Sequence, residues 1–236
     1  MRGVNLVLAL LVSSTAAPAI AGPVSDGEIA AARGDYANAF RLWRPLAEQG
    51  DPQAQLFLGY LYKNGQGVHQ DYAEAVRWLH AAADQGNAHA QSALGLMHEI
   101  GLGVPKDYSA AAMWFGRAAV QGNPVAQGQI GHLYLLGLGV AQNDAEAAKW
   151  FRHAADQGDA EAEINLGYLY ESGKGVPQDY VQAHKWYNLA VSHSKSSGKA
   201  PFTLAMSNRD RIAAKMTPAK LSEALTLARE WKPPTP

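Results

Sequence analysis

The chain has 236 residues with 20 basic and 21 acidic side chains, eight histidines and no cysteine. A near-neutral charge with neither sign in blocks lacks the basic stripe of nucleic-acid binding and gives no attraction to anionic membranes. Without cysteine, disulfides and thioether lipid anchors are excluded, so the fold must hold by packing alone.

Residues 1–21 come first. Arg2 gives a short positive start, Val4–Val12 is mainly apolar, and Ala19-Ile20-Ala21 is a small-x-small site before Gly22. Together they read as a secretory signal peptide cleaved after Ala21. A spanning helix needs roughly 20 apolar residues, so no stable membrane insertion is expected after cleavage. The mature chain is expected to be periplasmic or secreted.

Over residues 22–50 a helix at 24–33, a Gly34-Asp35 turn and a second helix through Ala39 and Leu46-Ala47 end at Gly50. This stretch reads as a shortened capping repeat that resembles the tetratricopeptide type. A strict period then begins, with Trp78, Trp114, Trp150 and Trp186 standing 36 residues apart. Aligned on them, residues 51–86, 87–122, 123–158 and 159–194 form four gapless units. A fixed period of this size marks stacked supersecondary units, each touching its neighbours, so one continuous array is expected.

Within each unit Asp or Asn caps a first helix, and Pro52 and Pro124 take its first position. Gly65, Gly101, Gly137 and Gly173 end it. A second glycine and a valine follow, as in Gly67-Val68 and Gly139-Val140. Asp71, Asp107, Asn143 or Asp179 then caps a second helix, three times with Glu or Gln three residues on. Gly59, Gly95, Gly131 and Gly167 lie inside the first helices, where glycine costs about 1 kcal/mol. Close approach of neighbouring helix backbones is the expected reason. The tryptophans and the residues after them (Leu79, Phe115, Phe151, Tyr187) are expected to fill the space between helix pairs.

Residues 195–236 read as a capping helix pair and tail. A polar loop at Lys195–Ala200 precedes a stripe of Phe202, Ala205, Met206, Ile212, Ala213 and Met216. Thr217-Pro218 opens a last helix with Leu221, Ala224, Leu225 and Ala228 on one face, and Lys232–Pro236 reads as a tail. The expected class is all-α: an α-solenoid of stacked antiparallel helix pairs, about 12 helices in all.

The pattern A-x₃-L-G-x-L-Y-x₂-G-x-G-V-x₂-D-Y-x₂-A-x₂-W-x₃-A-x₃-G across residues 51–194 resembles the Sel1-like repeat, a relative of the tetratricopeptide repeat, in its exported bacterial form. The chain departs from it at His98, at Asn143-Asp144 and at Ser194. The resemblance implies a helical superhelix and a protein-binding role as scaffold or adaptor.

Little in the chain points to chemistry. The closest histidine pairs are nine apart (His80/His89, His89/His98, His184/His193), whereas helical ligand pairs need about three or four. The Gly-x-Gly loops lack the third glycine or the Gly-Lys-Ser/Thr ending of a phosphate cradle. Ser192 and Lys195 match Ser-x-x-Lys without a Lys-Thr-Gly companion. Cysteine-rich Sel1-like proteins credited with penicillin binding or hydrolysis make cell-wall or β-lactam chemistry the alternative reading. No catalytic, cofactor-binding or metal-ligating residue is assigned.

The remaining candidate is a surface. On a first helix at about 100° per residue, the repeated positions cover one side and a variable column lies opposite: Tyr60, Leu96, His132 and Tyr168. Lys63, Glu99, Leu135 and Glu171 flank it on one side, Phe57 and Asn165 on the other. In arrays of this kind first helices line the concave face, and such a groove suits a protein or peptide partner with aromatic anchors.

Overall fold

The computed structural model describes residues 22–194 and 200–233. The signal-peptide reading at 1–21, residues 195–199 of the expected polar loop and the last three tail residues lie outside them. Among the described residues there are 12 α-helices and no strand: α1 (Pro23–Ala32), α2 (Tyr36–Glu48), α3 (Pro52–Asn64), α4 (Tyr72–Asp84), α5 (Ala88–Ile100), α6 (Tyr108–Val120), α7 (Pro124–Leu136), α8 (Asp144–Ala155), α9 (Ala160–Ser172), α10 (Tyr180–Ser194), α11 (Ala200–Ala213) and α12 (Pro218–Glu230). None of these is long and apolar enough to cross a membrane.

Local chemistry sets the helix boundaries. Asp51, Asn123 and Asp159 accept from the backbone N–H three residues on, at 2.8–2.9 Å. Asp71, Asp107, Asn143 and Asp179 accept from two successive N–H groups at the start of each second helix. These bonds satisfy first-turn donors that no helix can pair internally.

The chain divides after Asn87 into two compact units. The break falls between repeats, where a quasi-one-dimensional array has its natural seams. In the first unit Ala39, Trp43, Ala54, Phe57, Leu58 and Leu61 form the core. Trp43 stacks on Phe57 with centroids 4.4 Å apart, and its Nε1 donates to the Val24 carbonyl over 3.0 Å. Counting 36 back from Trp78 reaches Leu42, which is half-buried. In this shorter first pair the buried indole is one residue later.

The second unit holds the other tryptophans. Trp114 and Trp186 are buried, but Trp150 is only half-buried. Its ring leans on His153 at 5.7 Å. The following residues, Phe115, Phe151 and Tyr187, are fully buried. They also add a second role to the helical glycines. A Cβ on Gly95 would stand 2.6 Å from the Phe115 ring, and one on Gly167 2.7 Å from Tyr187. The glycines seat a neighbouring side chain, and at Gly59 a Cβ would also come 3.4 Å from the backbone carbonyl of Ala75.

The second glycine of the loop does meet backbone. Gly139 has φ +69°, and a Cβ there would lie 2.2 Å from the carbonyl of Tyr108 at the start of α6. Gly67 and Gly175 meet the carbonyls of Tyr36 and Asp144 in the same way, so these three loops rest on the preceding repeat's second helix, a placement that no other residue type allows.

At the C-terminal end α11 packs on α9 and α10, and α12 packs on α10. Ala205 and Ile212 are fully buried, joined by the partly buried Phe202 and Met206. On α12, Ala224 and Ala228 face inward, but Leu225 is 46% exposed, outside the apolar face expected for it.

Candidate partner-binding face

The variable column is divided between the two units, with Phe57, Tyr60 and Lys63 in the first. Phe57 is a correction: at 4% exposure it belongs to the core, held there by the stack on Trp43. Tyr60 is half-buried, with Lys63 Nζ 5.7 Å from its ring centre. Burial raises the Tyr60 phenol and lowers the Lys63 ammonium from their ordinary values.

In the second unit Leu96 and Leu135 are half-buried and lean on the core. Glu99 is half-buried as well, and burial raises its carboxyl against the opposing charge of Lys106. His132 meets Phe151 edge-on at 5.0 Å. Burial lowers its imidazole, despite Glu161 and Asp159 nearby. A neutral ring with Nε2 unprotonated then accepts from the Asn165 amide, 3.2 Å away. Asn165 also donates to the Glu161 carbonyl over 2.9 Å. The structure thus joins two column residues from successive repeats. They line a cavity of about 240 Å³ with Glu161, Ile164, Pro201 and Leu204. Tyr168 is 41% exposed, with Lys174 Nζ 5.5 Å from its ring centre.

Glu171 is the second correction. It does not face a free surface, because α11 supplies its partners. Arg211 donates to both carboxylate oxygens, the Nη2 bond measuring 2.7 Å, and Lys215 Nζ stands 3.7 Å away. The Tyr187 hydroxyl donates to the same group over 3.0 Å. Arg211 in first place holds this carboxyl below its ordinary value.

Sequence reasoning also passed over a polar ladder. Gln85, Gln121 and Gln157 each donate Nε2 to Oε1 of Gln55, Gln91 and Gln127, all at 2.8 Å. Both columns repeat every 36 residues, which was the available signal. Ser192 is exposed on α10, and its Ser-x-x-Lys companion is outside the described residues. His98 takes the place of Tyr62, Tyr134 and Tyr170 and is half-buried as they are.

Paired helices stacked on one another, with no strand among the described residues, define an α-solenoid protein. The Sel1 repeat pattern matches residues 25–51, 52–87, 88–123, 124–159 and 160–194. The chain belongs to the Sel1 repeat family, whose members generally serve as protein-interaction scaffolds. It is similar to a Sel1 repeat protein from Oxalobacter formigenes, with 36% identity and a TM-score of 0.70 over 80% of this chain and 54% of the other. It is also similar to a protective antigen of uropathogenic Escherichia coli with an SLR fold, at 30% identity and a TM-score of 0.70. That match covers 89% of this chain and 49% of the other, so the chain spans about half the length of these two proteins. No curated protein matches the chain.

Proposed function

We propose that this protein is a non-catalytic scaffold of the cell envelope that binds a partner protein or peptide on the first helices of its repeats. The observation that carries the reading is the use made of the repeated frame. Its tryptophans, glycines, alanines and caps are consumed by packing and turns, which leaves the variable column as the surface that differs from unit to unit. In the second unit, Tyr168 is 41% exposed and His132 and Asn165 line a cavity. Aromatic anchors beside a concavity suit a side chain or backbone of a partner segment. The envelope location rests on the reading of residues 1–21 as an export signal.

The test is capture from an envelope extract by the purified protein, compared with a Tyr60→Ala/His132→Asn/Tyr168→Ala variant. Capture is expected to fall at least tenfold, with helicity and unfolding midpoint close to wild type. Undiminished capture by the folded variant places the partner elsewhere. Cell fractionation checks the location, and recovery of full-length protein in the cytoplasm alone contradicts it.

A further inference from the structure

The polar ladder changes character in the last repeat. Gln55 and Gln127, besides accepting from the glutamines opposite, donate their own amides to the Ala47 and Ala119 carbonyls over 3.1 Å. Gln55 and Gln127 are therefore each acceptor and donor at once. In the fourth repeat the 36-residue frame puts Glu163 in this position and His193 in that of the donating glutamine, and the equivalent carbonyl is that of Ala155. His193 Nδ1 lies 2.8 Å from Glu163 Oε1, so the imidazole N–H replaces the amide donor. Glu163 is fully buried, and its Oε2, the atom corresponding to the glutamine nitrogen, has no hydrogen-bond partner. A carboxylate would present a bare charge where the other repeats present a donor. A carboxyl group that keeps its proton restores that donor.

We propose that Glu163 carries a proton in the folded protein and, with a neutral His193, forms a titratable latch that closes the fourth repeat where glutamine pairs close the others. The proton sits on Oε2, the position from which Gln55 and Gln127 donate to their carbonyls, while Oε1 accepts from His193. Charges around the pair act in the same direction. Burial first, then Asp159 at the α9 N-cap and Asp156 at the α8 C-cap, push the Glu163 carboxyl up to about 9. The nearby bases Arg152 and Lys185, with His153, act on Asp156. Burial also lowers the His193 imidazole. The His193 side chain is 34% exposed, which gives protons a route to the pair. Its ring meets Trp231 at 5.8 Å, and Trp231 meets Trp186 at 6.2 Å. The latch therefore also bears on the residue that ends α12.

The pH dependence follows from linkage. The Glu163 carboxyl is raised by folding, so its contribution is complete below 4.5 and is lost as pH rises towards about 9. His193 is depressed, so its contribution is complete above 6.5 and is lost as pH falls. Between these ordinary values the two slopes oppose each other. Above 6.5 only that of Glu163 remains, and it weakens folding by up to about tenfold per pH unit.

A Glu163→Gln/His193→Gln variant of the full chain rebuilds the glutamine clamp and removes both titrations. Melting temperatures of the two proteins, measured from about pH 5 to about pH 9.5, are expected to diverge above 6.5, with the wild type falling. A difference that does not change with pH overturns the proposal. Should the double variant fail to fold, Glu163→Gln alone keeps both hydrogen bonds and supports a second reading. Infrared difference spectra of wild type minus this variant are expected to contain a protonated-carboxyl stretch at neutral pH. A carboxylate band in its place makes the pair an ordinary ion pair and overturns the latch.

Discussion

Trp150 and Phe151 are adjacent in sequence and differ in what they hold. Phe151 is fully buried between the Gly131 notch and the His132 ring, while Trp150 is half-buried. Phe151→Ala is expected to cost about 3–5 kcal/mol, and Trp150→Ala distinctly less; urea unfolding of the two variants measures the difference. The conspicuous periodic residue is thus not the most important one, because periodicity reports position and not depth. Glu171 teaches the same at the candidate face. Its place in the column was legible, but its partner Arg211 lies 40 residues on in a helix outside the repeat. Arg211→Ala should move the Glu171 carboxyl titration, followed by NMR, upward towards its ordinary value. Because that carboxyl is depressed in the wild type, its contribution is complete above 4.5 and lost as pH falls. The variant is expected to lose that acid dependence.

Among elements, the helices and their ends were readable because caps, stops and turns are encoded within a few residues. Asp71 and Thr217 cap where their side chains are placed to do so. Three features were not readable, and each depends on a contact distant in sequence. The indole of the first pair moved from the frame position of Leu42 to Trp43, where Phe57 and the Val24 carbonyl receive it. Leu225 turned outward on a helix whose inner face is filled by alanines. Gly95 proved to be a seat for Phe115, because a notch cannot be told from a backbone crossing until the ring is placed. The loop glycine offers a sharp test. Gly139→Ala adds a Cβ at φ +69° and 2.2 Å from backbone, which is expected to cost roughly 2 kcal/mol or more. Gly128→Ala, on an open part of α7 with nothing within 4 Å, should be neutral or slightly stabilising. Thermal unfolding of the pair separates seat from surface.

For the molecule as a whole, the repeats define the packing and the ends depart from it. Terminal repeats of an array need an outer face that tolerates water. Here α11 and α12 cover Tyr187, Val191, Trp186 and Leu189. Truncation after Ser194 is expected to leave those side chains bare and to give a chain that self-associates, as size-exclusion chromatography would register. The family could be read from the frame at once, whereas the partner could not, since the frame consists of the residues used up by packing.

The seating of loop on helix has a further consequence in time. Gly67 rests on Tyr36, Gly139 on Tyr108 and Gly175 on Asp144, in each case 31 positions earlier in the chain. These three loops thus dock on helices that the ribosome has already delivered, and do not wait for a segment yet to be made. Such short reach keeps the entropy of closure low and favours rapid formation. A growing chain can lock these loops in the order of their synthesis, each on a helix that was finished before it.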